Sequence, residues 1–229
     1  MKSHTPSVSA RGLVVRPTSL THSGIARKAI VALTGLLLAG WMLLHAAGSL
    51  GVFAGPKVMN EYAALLRATG LLWVMRAGLA LAVLAHAWLA LGLTQEARHA
   101  RPRDYRRLPL RQSAKPGRWM RSSGLLLAAW LVYHVAHMYG PAHYAYVSGD
   151  VHHNLVTGLA SPPVALSYAV ATLLLGVHLH HGVRSTLSTL GTPARLRQRG
   201  ELPSLVFSIG ITLVLLAPPV AALGGYWRQ

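Results

Sequence analysis

"RKAIVALTGLLLAGWMLLHAAGSL", residues 27–50, is the stretch on which the fold turns. After two basic residues it runs to Leu50 without a charged side chain, and only Thr34, His45 and Ser49 interrupt its apolar character. At 1.5 Å per residue such a run reaches across a hydrocarbon layer of about 30 Å. It therefore predicts a transmembrane helix. Four further runs of the same kind lie at about 71–94, 119–140, 164–187 and 203–223. The expected fold class is an all-α integral membrane protein with five transmembrane helices, the first four an up-down bundle and the fifth packed outside it.

Composition agrees. The chain is 52% hydrophobic and 12% charged, with a mean hydropathy of +0.40, too few charges to coat a soluble domain of this size. The absence of cysteine excludes disulfides, thiolate metal sites, covalently attached haem and iron–sulfur clusters held by this chain. A net charge of +17 on a soluble protein would point to nucleic acid. Here 18 of the 22 Lys and Arg fall in residues 1–28, 96–121 and 182–203, so topology explains them. The positive-inside rule puts these segments and the N-terminus in the cytoplasm.

Residues 1–22 are polar and lack the apolar core of a signal peptide, which predicts a mobile cytoplasmic leader; residues 23–229 form the membrane domain. The basic, proline-broken segment 98–118 reads as a positive-inside determinant that also offers a docking surface. No internal repeat or low-complexity tract stands out.

Each of the first four runs carries histidine: His45, His86, His134 with His137, and His178 with His180 and His181. One such residue alone would read as a hydrogen-bonded core histidine. Four successive spans are another matter, because ionisable side chains inside a membrane are rare and usually functional. Counted along alternating helices, His45 and His134 lie about 22–27 Å from the cytoplasmic edge, and His86 and His178 about 8–10 Å from it. Two levels about 14 Å apart result. In an up-down bundle, helices one and three face each other across the axis, as do two and four. Each level then holds two opposed imidazoles, the arrangement that grips a planar macrocycle from both sides. Two bis-histidine haem b groups are the expected cofactors. His181 shares a face with His178 and, with Lys28 and Arg184, is a candidate for contacts to haem propionates at the inner boundary, where Arg27 and Arg121 also lie. Gly35, Gly48, Gly92, Gly124, Gly176 and Gly182 suit either tight helix packing or close approach of a porphyrin.

The segments "SGIARKAIVALTGLLLAGWMLLHAAGSLGVFAG" (23–55), "LAHAWLALGL" (84–93), "WLVYHVAHMYG" (130–140) and "GVHLHHGVRSTLSTLG" (176–191) resemble the single-chain diheme cytochrome b membrane anchor of bacterial succinate dehydrogenase and fumarate reductase (respiratory complex II). The resemblance implies His45 and His134 as axial ligands of the distal haem, and His86 and His178 of the proximal one. It further implies a flavoprotein subunit with FAD and an iron–sulfur subunit on the cytoplasmic face, and a membrane quinone, taken as menaquinone, as redox partner. Catalytic residues for succinate are not expected in this chain. Some relatives carry an acidic residue near the outer start of the second helix, assigned to quinol proton chemistry. Arg76 stands there in this sequence, and Glu61 does not map onto that role. The alternatives are a diheme anchor of another quinone-linked oxidoreductase, of hydrogenase or formate dehydrogenase type, a metal or proton transporter, and a purely structural membrane anchor with no cofactor. Against the transporter, the mid-membrane portions lack Asp and Glu and the prolines fall near helix ends.

Overall fold

The computed structural model describes residues 24–99, 114–193, 195 and 200–227, and every regular element among them is helical. The leader 1–22 and most of the basic segment 98–118 lie outside the described residues. Helix α1 spans Gly24–Ser49 and runs on into a 3-10 turn, Leu50–Ala54. It is followed by α2 (Pro56–Ala68), α3 (Leu71–His99), α4 (Ala114–Met138), α5 (Val151–Leu159), α6 (Pro162–Thr189) and α7 (Glu201–Leu223). The starts follow local chemistry: Pro56 and Pro162 occupy first-turn positions, where a missing N–H costs no hydrogen bond. Glycines with positive φ, Gly55 (94°) and Gly70 (70°), make the corners on either side of α2.

Among the described residues four helices are long and apolar enough to cross a membrane: Gly24–Ala54, Leu71–His99, Pro162–Thr189 and Glu201–Leu223. They mark a membrane protein. Helix α4, with 25 residues, has the length, but Arg121, Ser122, Ser123, His134 and His137 dilute its hydropathy. Large apolar side chains such as Leu33, Leu37, Leu44, Leu81, Leu84 and Trp88 point outward and are exposed, as suits contact with lipid rather than water.

The interior is built from small residues. Ala32, Ala39 and Ala46, spaced by seven along α1, are all buried. Ala39 joins Leu179 of α6 and Ile211 of α7 in one cluster. Helix α1 packs against α3 and α6, and α6 against α4 and α7. Neither α1 with α4 nor α3 with α6 makes comparable backbone contact, and α3 with α4, neighbours in the expected bundle, does not either, so that side of the bundle is open among the described residues. Helix α7 lies against α6 and α1, beside the four histidine-bearing helices. A Cβ at Gly176 would collide with Thr212 Oγ1 of α7, so this glycine serves helix packing and not a cofactor.

The short helices α2 and α5 go beyond the five expected runs. Asn60 of α2 donates to Asp150 Oδ1 (2.9 Å) and accepts from the His152 backbone N–H (3.1 Å). Asp150 caps α5 by accepting from the His153 N–H at 2.9 Å. These two bonds, first the backbone N–H and then the Asn60 amide, hold the Asp150 carboxyl below its ordinary range. His152 Nε2 donates to the Val52 carbonyl and His153 Nε2 to that of Ala145. Two of the chain's histidines thus serve to lock its connections.

Candidate functional site

The histidines of α1 and α4 meet. The rings of His45 and His134 have centroids 6.0 Å apart and planes at 87°, although their helices do not pack closely. With metal–imidazole nitrogen bonds of about 2.0–2.1 Å, two coaxial imidazoles on one metal would have centroids roughly 6 Å apart. Rotation about the metal–nitrogen axis leaves the interplanar angle free. His45 is crowded by protein on most sides, yet its side chain remains accessible.

His86 and His178 are built on a common plan. His86 Nδ1 on α3 donates to the Val31 carbonyl of α1 at 3.1 Å and lies 3.3 Å from Thr34 Oγ1. The Thr34 hydroxyl itself donates to the Ile30 carbonyl, 2.8 Å away. His178 on α6 lies with Nδ1 3.1 Å from Ser123 Oγ of α4. The Ser123 hydroxyl donates to the Met120 carbonyl at 3.1 Å, so His178 is the donor to Ser123. In both rings the Nδ1 proton is fixed and the Nε2 lone pair is left for a metal, as the outer partners of metal-bound imidazoles do. Glycine makes room for each ring: a Cβ at Gly35 would lie 3.2 Å from His86 Cε1, and one at Gly124 3.4 Å from His178 Cε1.

These contacts fix levels. His86 sits beside Val31–Gly35 on α1, ten to fourteen residues before His45. His178 sits beside Ser123 and Gly124 on α4, ten or eleven residues before His134. Eleven helical residues amount to about 16 Å, close to the separation expected from counting alone.

The equivalence has a signature in the sequence that the pattern of apolar runs does not bring out. "TGLLLAGWMLLH" (34–45) and "SGLLLAAWLVYH" (123–134) are identical at seven of twelve positions. The absence of a repeat is thereby corrected. Each copy places a hydroxyl and a glycine one level inward of a histidine. Thr34 and Ser123 are site residues that the apolar pattern did not flag, because their role depends on helix rotation.

Other candidates lie elsewhere. His137 is 2% exposed; its Nδ1 faces the Tyr168 hydroxyl and its ring stacks on His143 at 4.9 Å. His180 Nδ1 approaches Ser204 Oγ of α7 at 3.5 Å, and His181 donates to the Val177 carbonyl of its own helix at 3.0 Å. Arg184 pairs with Glu201 and Arg27 with Glu96; Lys28 is exposed. Gly92 accommodates the Arg27 guanidinium, whereas a Cβ at Gly182 would meet nothing within 4 Å. Arg76 lies against Trp73 and Tyr139, its Cζ 5.0 Å and 4.6 Å from their ring centroids. Its Nε is buried without a hydrogen-bond partner among the described residues. Glu61 is exposed on α2.

Among the described residues no three His, Asp or Glu converge as a free metal ion would require; His45 and His134 meet as two. Two imidazoles suit a metal whose remaining ligands come from a macrocycle. Comparison of the chain with family profiles, curated proteins and solved structures finds no match.

Proposed function

We propose that the chain is a membrane cytochrome with five spans, α4 being the third, that holds two haem b groups at two depths. Within that class we assign it as the membrane anchor of a succinate:quinone oxidoreductase, linked to succinate oxidation or fumarate reduction. One observation carries the reading: the rings of His45 and His134 meet, and about 16 Å along the helix axes from them His86 and His178 each direct Nδ1 to a partner on a neighbouring helix, Val31 and Ser123.

Haem b bound at each pair would supply a one-electron carrier, its iron cycling between the ferric and ferrous states. The chain's own residues do the rest. His45 with His134, and His86 with His178, would hold the two groups through their imidazole nitrogens. Thr34, the Val31 carbonyl and Ser123 hold the inner rings in the Nε2-binding tautomer and raise their basicity. Lipid-facing leucines and buried alanines keep water away and the dielectric low. Lys28 and His181 remain the inner-boundary candidates for propionates, since Arg184 and Arg27 already have carboxylate partners. Electrons from succinate, released at a partner flavoprotein with FAD, would reach the inner level through a partner iron–sulfur subunit and leave to menaquinone in the bilayer.

The test is the electron donor. In membranes expressing the complete complex, succinate should reduce the b-type haem signal, and that reduction should vanish in His178→Ala. Reduction by formate or hydrogen, with none by succinate, would assign the chain to the anchor of another oxidoreductase.

A further inference from the structure

Tyr168 of α6 places its hydroxyl between two imidazoles of α4, 3.2 Å from Nδ1 of His134 and 2.8 Å from Nδ1 of His137. Tyr168 is 8% exposed and His137 2%, so neither bond competes with bulk water. The hydroxyl has one proton and two lone pairs, so it can donate to only one of the two ring nitrogens while accepting from the other. His134, binding metal through Nε2 in the reading above on which this inference rests, keeps its proton on Nδ1 and is the donor. The Tyr168 O–H then donates to His137, whose own proton stays on Nε2.

Packing holds this chain of bonds in place. Trp130 stacks on His134 at 5.1 Å and meets Tyr168 edge-on at 4.9 Å. Tyr133 and His143 both stack on His137. Gly158 of α5 leaves the space that His137 needs, since a Cβ there would lie 2.7 Å from Cε1. His143 is held in turn: its Nδ1 accepts from the Ala145 N–H and its Nε2 donates to the Asn154 carbonyl.

The inner ligands end differently. The hydroxyls behind His86 and His178 donate to backbone carbonyls, whereas the hydroxyl behind His134 donates to a second imidazole, a much stronger base. Hydrogen bonds in series reinforce each other, and pull on the Nδ1 proton makes an imidazole a stronger donor to its metal. We infer that Tyr168 and His137 are positioning residues that strengthen His134 as an axial ligand and hold the outer haem at a lower reduction potential than it would have without them.

Redox titration of the purified holoprotein, with the two haems resolved by their low-spin electron paramagnetic resonance signals, tests this. Tyr168→Phe should shift the ferric-to-ferrous balance of the outer haem about tenfold toward ferrous, a rise of about 59 mV for one electron, and leave the inner haem unmoved. His137→Leu should shift the outer haem the same way by less. An unmoved outer haem in Tyr168→Phe, or equal movement of both haems, overturns the inference while leaving the diheme reading intact. If Tyr168→Phe does not assemble, His137→Leu decides by the same criterion. A wild-type chain that binds no haem overturns both.

Discussion

Ser123 and Thr34 show how a single hydroxyl sets up chemistry performed by another residue. Ser123→Ala should leave His178 on α6 without its Nδ1 partner, and spectroelectrochemistry should then find the inner haem raised in potential and the outer one unchanged. Asp150 gives a prediction outside the membrane. Its carboxyl is held below the ordinary value of 3.8 by the His153 N–H and the Asn60 amide. A depressed folded-state value means that the stabilisation is fully present above about pH 4 and is lost as pH falls through the lower folded value. Amide exchange in α5 should therefore stay slow from neutral pH to about pH 4 and quicken below it, and in Asp150→Asn that acid step should be absent. The histidines themselves were legible in the sequence, since each interrupts an apolar run. Their Nδ1 partners were not, because a serine within an apolar helix reads the same whether it faces lipid or a ring.

Helix packing explains which glycines matter and why. Gly176, a candidate for close approach of a porphyrin, lies instead against Thr212 of α7, and Gly92 lies against the Arg27 guanidinium. Composition could not separate these from Gly35 and Gly124, which do border histidine rings, because a missing side chain carries no mark of what fills its space. Gly176→Val should lower stability by about 1–3 kcal/mol through overpacking, seen as a lower thermal midpoint in detergent, and Thr212→Ala in the same chain should recover part of the loss. The long helices were legible as apolar runs, with ends within about five residues of those observed. The short helices α2 and α5 were not. Each is amphipathic and brief, and takes its shape from Asn60, Asp150 and Asn154 bonding between connections.

For the molecule as a whole, the count of crossings decides which connections share a side. If α4 crosses, residues 57 and 144 face the outside together; if it does not, they lie on opposite sides. The chain has no cysteine, so Lys57→Cys, Tyr144→Cys and Thr192→Cys can each be probed alone with a membrane-impermeant maleimide in intact cells. The first two should label and the third should not. The charge distribution gives the orientation that this labelling tests, and alternating counts gave a level spacing close to that of the observed helix contacts. Counting along the helices already set His45 opposite His134; the closeness of their rings, 6.0 Å between centroids, needed coordinates, because it depends on how the Ala32, Ala39 and Ala46 seam rotates α1. Haem counting by pyridine haemochrome on the purified chain, in parallel with His45→Ala and His178→Ala, goes to the heart of the matter. Two b-type haems per wild-type chain, falling to about one in each variant, is the expected result. A wild-type chain without haem, or variants that keep both, would contradict two opposed pairs each gripping one iron.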